Sequence, residues 1–104
     1  MEQRDKQEIV KEDNVIRIEF EPEKRAVAYD EDKEIGECEF TVNEGVWTIT
    51  HTGVDSSYGG RGIAEKLLDR VVDEAKAAGV RINPVCSYAA KKFSENKEYR
   101  KIQA

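Results

Sequence analysis

One histidine, two cysteines, two prolines and one tryptophan in 104 residues leave this chain short of several chemistries. Cys38 and Cys86 have no paired spacing, and His51 is the sole imidazole, so a metal centre of the zinc type is not expected. No Ser-His-Asp constellation is evident. No apolar run approaches the roughly 20 residues that span a bilayer, so no membrane anchor is expected. The chain lacks a basic surplus: 17 Lys and Arg stand against 22 Asp and Glu, a net charge of −5, which argues against a general nucleic-acid binder. Internal repeats and low-complexity segments are absent. The polar start, Met-Glu-Gln-Arg-Asp, lacks the pattern of a signal peptide. The expectation is a cytoplasmic protein whose cysteines are thiols, with a flexible segment over 1–13 and one domain over 14–104.

Within that domain two periodicities follow one another. Val15 to Phe20 alternates, Arg25 to Tyr29 forms a second short strand, and Ile35 to Val42 alternates again, with Cys38, Phe40 and Val42 on one face. Val46 to Val54 is a β-branched run joined to it by Asn43-Glu44-Gly45, an antiparallel hairpin. Four strands in a meander are therefore predicted. The period then changes. Ile63, Ala64, Leu67, Leu68, Val71, Val72 and Ala75 make one apolar stripe on a helix over 61–78, which Gly79 stops. Val80 to Val85 is a strand, and a second helix runs from Ser87 to Glu95. The tail from Lys97 is charged and weakly patterned. A strand, helix, strand order implies a right-handed crossover, with Val46–Val54 and Val80–Val85 as parallel neighbours. The fold class is α/β in the α+β sense: a mixed sheet, an antiparallel four-strand meander, then helix, parallel strand and helix. Pro84 lacks an N–H, so these two strands should part near their C-terminal ends.

The parting lies beside Gly59-Gly60-Arg61-Gly62, directly before the long helix. Glycines let successive backbone N–H groups point at one anion, and a helix start adds unpaired N–H groups and the positive end of its dipole. The alternative is a plain tight turn. The motif is neither a Walker A loop nor a dinucleotide fingerprint, because the Gly-Lys-Ser/Thr ending and a preceding βαβ unit are both missing. Charge is split at the same place. Residues 1–58 hold 7 Lys and Arg against 16 Asp and Glu, and residues 59–104 hold 10 against 6. Two side chains could do chemistry near such a site. Cys86 precedes a helix, where the dipole favours a thiolate; it is either a nucleophile or proton donor, or a small packed residue. His51 shares a face with Trp47 and Ile49 by alternation, and is either a base or a core histidine. Tyr88 and Tyr99 are possible acids with no local feature to choose between them, and Ser87 could cap its helix.

Val54 followed by Gly59-Gly60-Arg61-Gly62-Ile63-Ala64 resembles the acetyl-CoA pyrophosphate loop of the GNAT superfamily of N-acetyltransferases. His51-Thr52-Gly53-Val54 and Pro84-x-Cys86-Ser87-Tyr88 are similar to a minimal single-domain branch of it. The resemblance covers residues 15–100. It implies that the pantetheine arm pairs with the strand end at Val54, and that amides from Gly59, Gly60, Arg61, Gly62, Ile63 and Ala64 hold the pyrophosphate. The acetyl thioester would lie between the parted strands, where an amine attacks it and a strand N–H meets the oxyanion. Acetyl-CoA would be the donor, and a small amine or a protein amine the acceptor; the acidic first half suits a basic one. The catalytic candidates are Cys86 and His51. The chain departs from the pattern in three places. Gly59 stands where relatives carry Arg or Gln. Cys86 stands at the usual Asn, and Phe93 at the usual Tyr that protonates the leaving thiolate. A non-catalytic module that binds CoA or acyl-CoA is the alternative, and an unrelated α+β interaction domain is a third reading.

Overall fold

A computed structural model of the chain describes residues 16–104. The expected flexible segment 1–13, and Val15 at the expected start of the first strand, lie outside the described residues. Five strands form one sheet: β1 (Ile16–Glu21), β2 (Arg25–Asp30), β3 (Lys33–Asn43), β4 (Val46–Val54) and β5 (Arg81–Pro84), in spatial order 1-2-3-4-5. The first four pair antiparallel and β4 pairs parallel with β5. The helices are α1 (Ile63–Ala78), α2 (Ser87–Glu95) and α3 (Lys97–Arg100). The mixed-sheet α/β architecture is the one expected, as a meander followed by a crossover.

The stripe on α1 buries Ile63, Leu67, Leu68, Val71, Val72 and Ala75 against one face of the sheet. Each such Leu, Ile or Val contributes roughly 1.5–3 kcal/mol when fully withdrawn from water. Facing it are Ala26, Ala28, Cys38, Phe40, Trp47 and Ile49, with Phe40 and Trp47 stacked at 4.5 Å between ring centres. Val42 does not join this face as its alternation suggests; it lies past the last core contact of β3 and is 43% exposed. The helix begins two residues later than its periodicity implies, because Gly62 takes φ +74° and stands outside it as the N-cap. Gly79 ends it with an N–H donated to Ala75 and Lys76 carbonyls.

The tail is more ordered than its composition suggests. The Asn96 side chain accepts N–H bonds from Glu98 and Tyr99 and starts α3. The chain then runs along the free edge of β5: Ile82 N–H donates to Ile102 (2.8 Å) and Ala104 N–H donates to Ile82 (2.8 Å). This covers an edge that would otherwise present unpaired backbone groups.

Candidate active site

Beyond β4 the chain is tied into a turn before it reaches the glycines. Asp55 N–H donates to the Ile35 carbonyl at 2.8 Å, and the Asp55 carboxylate accepts from Ser57 N–H (2.9 Å) and Ser57 Oγ (2.8 Å). Those two bonds, the backbone one first, hold the Asp55 carboxyl below the usual range. The Tyr58 hydroxyl donates to Asp30, which raises its pKa, and Arg61 sits 5.1 Å over the Tyr58 ring. Gly60 and Gly62 then adopt φ of +79° and +74°. A Cβ at either would meet nothing within 4 Å, so backbone conformation, not space, requires glycine there.

The first helical bond of α1 runs from Lys66 N–H to the Gly62 carbonyl (3.1 Å), and no side chain caps the helix. The N–H groups of Ile63, Ala64 and Glu65 therefore have no acceptor within the helix. They open on a cleft of about 240 Å³ lined by Val54, Tyr58, the loop from Gly59 to Gly62, Ile63, Ala64, Glu65, Tyr88 and Lys92. Two cations flank it. Arg61 lies on Tyr58, and the Lys92 ammonium lies 5.7 Å over the Tyr88 ring. Burial foremost, then the Glu65 and Asp69 charges, push the Tyr88 phenol up and keep it neutral. All seven residues expected to hold the cofactor line this one cleft, but the Gly59 N–H is already donated to the Ser56 carbonyl (3.1 Å) and is not free for an anion. Tyr58, Glu65, Tyr88 and Lys92 join them. Of these, Tyr88 and Lys92 carry a readable signal, since they are four apart on one helix and so share a face.

The strands part as the proline implies. Their last pair is Ile49 with Pro84, and the Ile49 carbonyl accepts N–H bonds from both Val85 (3.1 Å) and Cys86 (3.0 Å). β4 continues to Val54 without a β5 partner. Cys86 stands at this divergence as the N-cap of α2, and its Sγ accepts the Ala89 N–H at 3.4 Å. Both cysteines are free thiols, Cys38 buried and Cys86 half-buried. Burial pushes the Cys38 thiol up to about 11.

His51 is not where alternation places it. The register steps from Glu39 opposite His51 to Phe40 opposite Ile49, so Thr50 is an extra residue in β4, a β-bulge. One inserted residue exchanges the faces of all that follow. Trp47 and Ile49 stay in the core, Thr52 turns inward, and His51 points to the open face with its side chain 55% exposed. There His51 Nε2 lies 3.8 Å from Glu37 Oε2. It also lies 3.0 Å from where a Cβ on Gly53 would stand, so glycine leaves room for the ring. A second cleft, about 250 Å³, is lined by Glu34, Ile35, Gly36, Glu37, His51, Gly53, Val54 and Asp55. Arg25 crosses the open face to bond Glu34 (2.6 Å), Glu37 (2.7 Å) and Glu21 (3.0 Å). His51 and Cys86 are thus not brought together on one face. The two clefts share Val54, at the end of β4 where β3 remains a neighbour and β5 no longer does.

A sequence model of GCN5-related N-acetyl-transferases matches residues 25–102, from β2 to the edge segment after α3. The chain belongs to this family. Among solved structures, a GCN5-like protein from Staphylococcus aureus superposes with a TM-score of 0.69 at 27% identity, over 88% of this chain and 90% of that one. The ribosomal-protein-S18-alanine N-acetyltransferase of Escherichia coli shares the fold, with a TM-score of 0.58 at 20% identity over 73% of this chain and 52% of that chain. No curated protein matches the sequence significantly. GCN5-related acetyltransferases take their acetyl group from acetyl-CoA, and the domain is an acyltransferase of that class. Among the described residues no group of three or more His, Cys, Asp or Glu is placed to hold a metal ion, and no helix is long and apolar enough to cross a membrane. The residue at the family's usual tyrosine position, Phe93, is 1% exposed and packs on Tyr99 at 5.1 Å between ring centres. Tyr99 in turn donates its hydroxyl to Asp69 on α1. Of the two tyrosines that the sequence leaves equivalent, Tyr88 lines the cleft and Tyr99 joins two helices.

Proposed function

We propose that residues 14–104 act as one acetyl-CoA-dependent N-acetyltransferase domain, of a minimal branch marked by Pro84-x-Cys86-Ser87-Tyr88, that acetylates a small or protein amine. The observation that carries this is the juxtaposition at the end of β4. The amide-lined cleft, the end of β4 that β5 leaves without a partner, and the thiol that caps α2 all lie at or beyond the parting of the two strands. The donor set suits a pyrophosphate. Free amides from Gly60 to Ala64 receive its oxygens, and Arg61 and Lys92 neutralise its charge. Backbone groups of β4 near Val54 would hold the amide-bearing pantetheine arm as a missing strand would. When bound, acetyl-CoA supplies an acetyl group activated as a thioester.

The protein's own part is proton handling from two sides. On the open face, His51 with Glu37 takes a proton from the incoming ammonium. At the parting, the Cys86 thiol gives its proton to the departing thiolate. It stands in for the phenol that Phe93 cannot supply. Cys86 could instead carry the acetyl group transiently, which needs the same thiol in its thiolate form. A binding-only reading is favoured by one observation: the absent tyrosine is replaced by a fully packed phenylalanine.

Titration with acetyl-CoA and CoA, followed by thermal unfolding, tests the site. Saturation to about 100 Kd should stabilise by about 2.7 kcal/mol. No stabilisation by either compound would end both readings. Single-turnover assays on Cys86→Ser, which keeps a cap for α2, then separate them. A rate lower by about 10²-fold supports catalysis, and an undetectable wild-type rate leaves the binding module.

A further inference from the structure

Beyond its pyrophosphate, coenzyme A bears adenosine, and a flat purine gains most from an aromatic face on which to stack. Among the described residues, two aromatic rings line the amide-bearing cleft, Tyr58 and Tyr88. Tyr88 follows Cys86 by two residues on α2, so it stands on the side where β5 leaves β4. Tyr58 reaches the other way. Its hydroxyl donates to Asp30 at the end of β2, and the sheet order puts β2 two strands from β4 on the side away from β5. A ligand with its thioester at the parting and its pyrophosphate at the start of α1 therefore has Tyr58, not Tyr88, beyond the pyrophosphate. The half-buried Tyr58 ring is already fixed. Besides the bond to Asp30, its N–H donates to the Asp55 carbonyl at 2.8 Å, and its ring packs on the edge of the core. It also attracts cations: the Arg61 guanidinium lies 5.1 Å and the Lys33 ammonium 5.9 Å from its centre. Asp30 and Asp55 stand close by and offset those two charges, so what this place offers a ligand is a π-face more than a field.

We propose that the Tyr58 ring is the platform on which the purine base of the donor stacks, so that the protein grips acetyl-CoA at its nucleotide end as well as at its thioester end. This deepens the proposed function and rests on its reading of the cleft as a CoA site. The exposed Arg61 side chain lifts off the ring as the base enters, and its planar guanidinium covers the outer face of the base. Tyr58 needs no such movement, because the bond to Asp30 holds the ring in place beforehand and little ordering is left to oppose binding. Stacking reads the flat shape of a base and not its edge, so this contact adds affinity without demanding adenine in particular.

The test is nuclear magnetic resonance of the full wild-type chain saturated with CoA, joined to calorimetric titration of variants with CoA. Adenine H2 and H8 should show nuclear Overhauser contacts to the Tyr58 ring protons. Tyr58→Leu fills similar space without a π-face and should bind CoA about tenfold more weakly. Tyr58→Phe keeps the ring, loses only the bond to Asp30, and should stay within about threefold of wild type. Contacts from adenine to Tyr88 or Lys92 in place of Tyr58, or to no protein proton, overturn the proposal, as does wild-type affinity in Tyr58→Leu. Should Tyr58→Leu not fold, the contacts in the wild-type complex decide alone. A wild-type chain that binds no CoA would sink the reading of the cleft and the platform with it, whereas tight CoA binding without the Tyr58 contacts sinks the platform alone.

Discussion

Phe93 shows how one side chain can separate a fold from its usual chemistry. It occupies the position where the resemblance implies a tyrosine acid, yet its ring is packed among core residues. Adding a hydroxyl there would bury a polar group without a partner, at a cost of about 1–3 kcal/mol. Phe93→Tyr should therefore lower the melting temperature by about 5 °C or more without raising the rate of acetyl transfer. A faster enzyme, measured by CoA release, would show that the acid was simply missing. His51 makes the complementary point. Its identity suggests a base, but whether it meets a substrate depends on a bulge one residue earlier.

The start of α1 opens on the cleft and depends on a glycine. Gly62 must reach φ +74° to release the first amides toward the cleft. A Cβ in that conformation costs about 1–2 kcal/mol. Gly62→Ala should thus melt about 5–10 °C lower and bind CoA more weakly, as calorimetry with unfolding scans would reveal. The same helix places Glu65, Asp69 and Asp73 at successive four-residue steps. Desolvation first, then those two neighbours, raise the Asp69 carboxyl above its ordinary 3.8. A carboxyl raised in the folded state gives stability that is complete below its unfolded value and is lost as pH rises through the folded one. Asp69→Asn removes that loss and keeps an oxygen for the Tyr99 hydroxyl. Its melting temperature at pH 7 should exceed wild type by about 2–4 °C, with the gain gone at pH 3. A drop at pH 7 would mean that the charged bond to Tyr99 outweighs the repulsion.

Across the whole molecule, the charge asymmetry of the sequence becomes a difference between sites. The cradle is bordered by Arg61 and Lys92, and the other cleft by Glu34, Glu37 and Asp55, with Arg25 offsetting part of that charge. An anionic donor and a cationic acceptor would approach opposite sides of β4. For a polyamine acceptor, kcat/KM should fall several-fold between about 0.05 and 0.5 M salt, whereas a singly charged amine should change little. Equal salt sensitivity for both would remove the electrostatic argument for a basic acceptor.

Much of this was legible in residue order, because it depends on local chemistry. Alternation gave β1 and β3, the β-branched run gave β4, the 3.6-residue stripe gave α1, Gly79 marked the end of that helix, and Pro84 marked where β5 leaves β4. The seven cleft residues were readable because they are contiguous or nearly so, and a cradle of backbone amides needs glycine more than any particular side chain. Tertiary structure decided what depends on register and distant partners. The extra residue at Thr50 has no signature in a β-branched run, yet it sends His51 outward and Thr52 inward. The edge pairing of the tail with Ile82, and the meeting of Thr52 with thiols 14 residues before and 34 after it, arise only once the sheet has closed. Sequence determined the cradle and the fold that presents it. Packing decided which side chains stand on each side of the strand end, because a one-residue slip in a strand reverses every face beyond it.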